Sequence, residues 1–211
     1  MIFKDRKDAG QKLALKLQEY IENSDCIVLA LPRGGIILAY EIAKELKLPL
    51  DVIITQKIGA PNFQELAIGA ISENGQSYFD NEMISDYNIS KGYIDAECDK
   101  KKKEALRRAN LYRKNKSPLD LENKIAILVD DGIATGATML AAIKSARVKK
   151  AKKVIVAIPV IAFDSVQKIN EEADKMIYLD APEDFAAVGQ FYDDFEQISD
   201  DEVIQLLEKL K

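Results

Sequence analysis

The 211-residue chain is 47% hydrophobic, carries a formal net charge of −5 and contains no histidine. That length suits one well-buried α/β domain with a small cap. The missing histidine excludes Ser-His-Asp and Cys-His nucleophilic sites and His-ligated metal centres, and the acidic balance argues against a nucleic-acid partner.

In chain order, Ala9, Leu13, Leu17 and Tyr20 or Ile21 recur at helical spacing, which predicts an amphipathic helix over 6–22. Cys26 to Leu31 is a continuous apolar run, the pattern of a buried parallel strand. Pro32-Arg33-Gly34-Gly35 breaks it, and a helix follows to about Leu46. Leu50 to Thr55 reads as a second buried strand. Leu66 to Ile71 and Ser77 to Phe79 form a short strand pair around Asn74-Gly75. A long charged helix runs from about Ser90 to Lys114. Its Lys100 to Lys103 run sits among Asp95, Glu97, Asp99 and Glu104, so it reads as a solvated face.

Lys124 to Val129 is a third buried strand, followed by a helix from about Gly136 to Val148 and a strand from Lys153 to Val160. A further helix, a strand from Met176 to Leu179, a loop around Pro182 and a last helix from Ser199 or Asp200 complete the order. Alternating strands and helices predict a mostly parallel twisted sheet flanked by helices. Such sheets bind ligands beyond the carboxyl ends of their strands. Both Gly-containing breaks, at 32–35 and 130–138, fall there. No apolar run approaches the ~20 residues that span a bilayer. The charged opening Met1-Ile2-Phe3-Lys4-Asp5-Arg6 lacks a signal-peptide core, so a cytoplasmic protein with no membrane partner is expected.

The chemistry concentrates in Ile127-Leu128-Val129-Asp130-Asp131-Gly132-Ile133-Ala134-Thr135-Gly136-Ala137-Thr138. An apolar strand delivers two adjacent carboxylates, and a loop of small residues then opens a helix. The first helical turn presents unpaired N–H groups and partial positive charge. Small residues admit a phosphate, and Thr135 and Thr138 add hydroxyl donors. The carboxylates suit a ribose diol or hydrated Mg²⁺. Neither a Walker Gly-Lys-Ser/Thr ending nor a Gly-x-Gly-x-x-Gly fingerprint is present.

Val129 to Thr138 resembles the phosphoribosyl pyrophosphate motif of type I phosphoribosyltransferases. The resemblance implies that Asp130 and Asp131 contact ribose hydroxyls. It assigns the 5′-phosphate to Thr135, Gly136, Ala137 and Thr138, with Gly132 and Ala134 beside them in the substrate site. Leu31-Pro32-Arg33-Gly34-Gly35 stands where that family places its pyrophosphate loop, with Arg33 as a permanent cation and the Gly34 and Gly35 amides facing the anion. Members often have a non-proline cis peptide there, which predicts one beside Arg33 or Gly34. Lys57 is placed for another pyrophosphate contact, although Gln56 stands where many relatives have Arg.

Residues from about Ile58 to Tyr78 correspond to the family's mobile catalytic loop, with Glu65 either a ligand-facing acid or a solvated one. Ala181 to Asp194 resembles the hood of the purine-salvage branch. Phe185 is then either the base-stacking ring or a core residue, and Asp193 is the acid near metal or base. Asp130, Asp131 and Asp193 are the implied metal ligands. Ala134 departs from the hypoxanthine and guanine enzymes, which carry Asp there.

The whole chain also resembles an uncharacterised prokaryotic branch of predicted phosphoribosyltransferases. It shares that branch's long basic helix, whose Arg107, Arg108 and Arg113 are either candidates for the pyrophosphate, in their own subunit or across a dimer interface, or part of a charged solvated helix. The resemblance implies one domain over 1–211, with a hood from about 180–211 alone or together with the N-terminal helix, and a homodimer. It also implies Mg²⁺-dependent transfer of ribose 5-phosphate from phosphoribosyl pyrophosphate to a nucleobase-like acceptor. The alternatives are a non-catalytic sensor of that ligand and a sugar-phosphate hydrolase.

Overall fold

The computed structural model describes residues 1–114 and 118–210, the side chain of Glu65 excepted. Its centre is a five-stranded parallel sheet made of β1 (Cys26–Ala30), β2 (Leu50–Val52), β6 (Ile125–Val129), β7 (Lys153–Val160) and β8 (Lys175–Asp180), ordered β2-β1-β6-β7-β8. Alternate residues feed opposite faces, as the two-residue period of a strand requires. Val28, Ala30, Ile127 and Val129 join one core; Leu29, Ala126 and Leu128 join the other. Helices α1 (Arg6–Lys16) and α2 (Gly35–Leu46) cover the first face. On the second lie α5 (Ala137–Val148) and α6 (Phe163–Glu172).

From β1 the chain crosses to β2 on one side, while β6 pairs with the other edge of β1. The order of crossovers therefore reverses between β1 and β6, which opens a crevice at their carboxyl ends. Ala30 is level with Val129, so the two Gly-containing loops start side by side.

A second, antiparallel sheet joins β3 (Thr55–Ala60), β4 (Phe63–Ser72) and β5 (Ser77–Phe79). The strand pair expected at 66–71 and 77–79 is part of it, and the segment from Ile58 to Tyr78 that the resemblance matched to a catalytic loop is built into this sheet. Ile58, Ala60, Ile68 and Ile71 are buried in one small core with Ile89, and that burial organises the segment. A short helix and a long one complete the connection: α3 (Asn81–Asp86), which the sequence pattern did not predict, and α4 (Lys91–Arg113). At ~1.5 Å per residue, α4 is about 34 Å long. Arg113 at its end donates to Asp51 (3.2 Å) and Glu73 (2.9 Å), and Glu73 also accepts from the Ile54 amide, so α4 is tied to the β2–β3 junction.

Other boundaries differ modestly. The first helix stops at Lys16, where Leu17 turns into the core, and a 3-10 turn at Gln18–Tyr20 follows. The second strand ends at Val52 because the chain then leaves the parallel sheet to start β3. The last helix, α7 (Asp200–Lys209), opens with a capping box in which Ser199 and Glu202 satisfy each other's amides. No helix among the described residues is long and apolar enough to cross a membrane.

Candidate functional site

A cavity of about 400 Å³ lies where the crevice was expected. Its walls come from four places: Leu31 to Gly34 after β1, Thr55 to Lys57 of β3, Lys101 and Arg108 of α4, and the loop from Asp130 through Thr138. Val188 closes a further side. The Pro32–Arg33 peptide is cis, at the position the resemblance suggested.

The glycines do more than expose amides. A Cβ at Gly34 would fall 1.9 Å from Asp131 Oδ2, and one at Gly35 would fall 2.5 Å from the Val129 carbonyl. Both residues therefore let the first loop pack onto the acid pair. Gly35 is not part of the cavity wall, and its N–H donates to the Leu31 carbonyl at 3.2 Å. The expectation that this amide faces an anion is corrected accordingly. Gly136 has φ 81°, the left-handed conformation that precedes α5 and that glycine adopts without steric cost. Ala137 turns its side chain into contacts with Ala70 and Ala141, outside the cavity wall. Ser165 Oγ donates to the Ala134 carbonyl (2.6 Å) and the Ala162 amide to that of Ile133 (2.8 Å), which fixes the loop from behind.

The two carboxylates are not equivalent. Asp130 accepts from the Asp131 amide at 2.9 Å. Asp131 accepts from Arg6 Nε at 2.9 Å, with only 9% and 15% of the Arg6 and Asp131 side chains exposed. Arg6 also donates to the Glu196 carbonyl at 2.7 Å and lies 3.8 Å from the Phe195 ring centroid. The Tyr192 hydroxyl donates to the Asp131 carbonyl at 2.6 Å. Burial, and then the Asp131 charge, pushes the Asp130 carboxyl well above its ordinary range, while Lys57 opposes the rise. Burial also raises Asp131, against the pull of Arg6. Sequence reading missed Arg6, and its only signal was an arginine beginning a helix.

Of the expected site residues, the cavity gathers Arg33, Gly34, Lys57, Asp130, Asp131, Gly132, Ala134, Thr135, Gly136 and Thr138. It does not gather Phe185 or Asp193. The Phe185 ring packs 5.0 Å from that of Phe191, against the first core. Asp193 is exposed, and its amide donates to the Phe3 carbonyl where residues 3 and 192 form a bridge. Among the described residues no group of three or more Cys, Asp or Glu side chains is arranged to hold a metal. Glu65, the other candidate acid, has its side chain outside the described residues. Of the three helix arginines, Arg108 reaches the cavity, Arg107 pairs with Glu104, and Arg113 is the anchor at the β2–β3 junction.

The profile of the family described as "Phosphoribosyl transferase domain" matches residues 2–196. The chain belongs to that family. Two Mycobacterium tuberculosis proteins, from strains CDC 1551 and H37Rv, whose phosphoribosyl transferase names are themselves provisional, are each 41% identical to it over 208 residues. The match covers 99% of this phosphoribosyl transferase chain and 47% of either relative, so the chain spans about half their length. The crystal structure of TT1426 from Thermus thermophilus superposes with a TM-score of 0.81 at 35% identity, covering 100% of this chain and 99% of the other. AQ2163 from Aquifex aeolicus shares the fold at 12% identity, with a TM-score of 0.52 and coverage of 83% and 74%. The mostly parallel sheet flanked by helices is that of the type I phosphoribosyltransferases.

Proposed function

We propose that this chain transfers ribose 5-phosphate from phosphoribosyl pyrophosphate to a ring nitrogen of a nucleobase-like heterocycle and releases pyrophosphate. One observation carries the reading: a single cavity joins an acid pair, a helix-opening Thr-Gly-x-Thr loop and four cations, Arg33, Lys57, Lys101 and Arg108. In this reading Thr135, Thr138 and the first amides of α5 hold the 5′-phosphate, and Asp130 takes the ribose hydroxyls. The C1–O bond to pyrophosphate breaks as the C1–N bond forms. Cations around the leaving group stabilise its growing charge. No covalent nucleophile is needed, in keeping with a chain without histidine.

Mg²⁺ fits the donor set. That ion commonly takes one or two carboxylates and completes its shell with water and phosphate oxygens, and Asp130, with Asp131 beside it, supplies that much. Bound there, it would neutralise charge on the pyrophosphate. The reading includes a cytoplasmic homodimer with small-molecule partners; the net charge of −5 supports the exclusion of nucleic acid.

The test is pyrophosphate release from phosphoribosyl pyrophosphate and Mg²⁺ with pooled purine, pyrimidine or pyridine acceptors. Release that depends on one pool, and is lost in Asp130→Asn/Asp131→Asn, supports the transferase. Ligand binding without release points to a sensor, and release of orthophosphate to a hydrolase.

A further inference from the structure

Arg6 stands where a helix least favours a cation. It is the first residue of α1, where the helix amides already carry partial positive charge, so its own charge is opposed there. It is nevertheless buried, at 8% exposed, and its guanidinium is engaged on three sides. Nε donates to Asp131 Oδ2 at 2.9 Å, Nη1 donates to the Glu196 carbonyl at 2.7 Å, and the Phe195 ring packs against the group. A buried ion pair is weak evidence of a stabilising role, since apolar residues of similar volume often serve as well. The partner in this pair lines the ligand cavity, whereas Arg6 stands behind the cavity wall.

The frame that holds Arg6 is rigid. Gly10 lets α1 close onto α2, since a Cβ there would fall 2.9 Å from Leu38 Cα, and α2 begins directly after the loop of Pro32, Arg33 and Gly34. On the other side the Phe3 amide donates to the Phe191 carbonyl (2.8 Å) and the Asp194 amide to the Lys4 carbonyl (3.0 Å). These bonds tie the residues before α1 to the segment that carries Tyr192 and Phe195. Tyr192 grips the main chain of Asp131 while Arg6 grips its side chain. Asp131 Oδ2 is also the oxygen turned towards Gly34: a Cβ built on that glycine would lie 1.9 Å from Oδ2 and 3.1 Å from Oδ1. A ligand in the cavity is therefore offered Oδ1, beside the carboxylate of Asp130.

We propose that Arg6 is a positioning residue that also sets the charge of the acid pair. It holds Asp131 with one oxygen towards the sugar and cancels one of the pair's two negative charges, so that the pair favours a ribose diol over a bare divalent cation. This rests on the transferase reading above and adds to it a residue outside the cavity wall. Two free neighbouring carboxylates suit a divalent cation, whose affinity rises with the charge of its oxygen ligands. A carboxylate bound to a guanidinium still accepts hydrogen bonds but no longer contributes net charge.

Two probes with opposite expected responses test this in the full chain. One is Mn²⁺ alone, an ion with the same preference for oxygen ligands, followed by electron paramagnetic resonance. The other is ribose 5-phosphate without metal, followed by calorimetry. Arg6→Met should bind Mn²⁺ about fivefold or more tightly than wild type and ribose 5-phosphate about tenfold more weakly. A variant that had merely lost structure would weaken both. Arg6→Lys restores the charge but not the planar fork, so Mn²⁺ affinity should return to within about twofold of wild type while ribose 5-phosphate recovers only in part. Tyr192→Phe keeps every charge and removes only the main-chain tether, so it should weaken ribose 5-phosphate about threefold and leave Mn²⁺ unchanged. Affinities for the two probes that are both unchanged or both reduced in Arg6→Met overturn the proposal. If Arg6→Met does not fold, unchanged ribose 5-phosphate affinity in both Arg6→Lys and Tyr192→Phe overturns it instead. Wild-type protein that binds neither ribose 5-phosphate nor phosphoribosyl pyrophosphate overturns the transferase reading itself.

Discussion

Arg6 Nε donates to Asp131 Oδ2 at 2.9 Å, joining residues 125 positions apart in the chain. Through this bond the first residue of α1 neutralises one member of an acid pair of which both members line the cavity. A pair that looks symmetrical in sequence thus divides into a carboxylate held by a cation and one held by a backbone amide.

Removing the cation should therefore damage the fold more than the surface position of a helix start would imply. Arg6→Met leaves Asp131 buried without its partner and also frees the Glu196 carbonyl. A loss of about 3 kcal/mol in urea unfolding is expected. Arg6→Lys should recover part of it, since an ammonium cannot reproduce both bonds of the guanidinium. An Arg6→Met protein as stable as wild type would refute this account of the pair.

Asp130 should behave in the opposite sense. Its folded-state value lies well above the ordinary 3.8. Stability then falls as pH rises from the unfolded value through the folded one, because the folded state holds the proton more tightly. At pH 7 this buried acid therefore burdens the fold. Asp130→Asn should raise Tm at pH 7 and lose ligand affinity together, with the thermal gain vanishing below about pH 3.8. A lower Tm at pH 7 would contradict this.

Glu104 supplies a test at acid pH. Its hydrogen bonds with Arg107, and then with Arg108, pull its carboxyl from 4.5 down to about 2. A depressed folded-state value gives stability that is present above pH 4.5 and lost as pH falls through about 2. Glu104→Gln should consequently be less stable than wild type at pH 7, and the two should converge near pH 2. A constant difference across that window would assign the effect to packing.

Gly34→Ala tests the contact between the two loops. The new methyl would meet Asp131 Oδ2, and that carboxylate is already fixed by Arg6, so it cannot yield without breaking the ion pair. A loss of about 2 kcal/mol, accompanied by loss of ligand binding in calorimetry, is expected. Retention of both properties would show that the loop can move aside.

Much of the central sheet was legible because its strands are continuous apolar runs ending in glycine-containing breaks; Lys153–Val160 was read with its observed bounds. The loops that form the cavity floor were legible for the same reason. Less visible was β3, whose Thr55-Gln56-Lys57 start resembles a loop until Ile58 and Ala60 are seen packed against Ile68. The exchange of Phe185 for Val188 at the cavity depends on the local path of a loop, which no hydrophobic period specifies. The run Lys100 to Lys103 was expected to be a solvated face, yet Lys101 lines the cavity with Arg108, and only the burial of Ala105 and Tyr112 tells which way that face points.

Helix α4 is held near its start by the Tyr93 hydroxyl on the Gly59 carbonyl (2.9 Å), and near its end by Tyr112 and Arg113. A ligand wall built this way has already lost its conformational freedom during folding, so little further ordering entropy is charged to association. Encounter should then be governed by the long-range pull of the cavity's cations on an anion, giving an association rate that falls steeply with ionic strength.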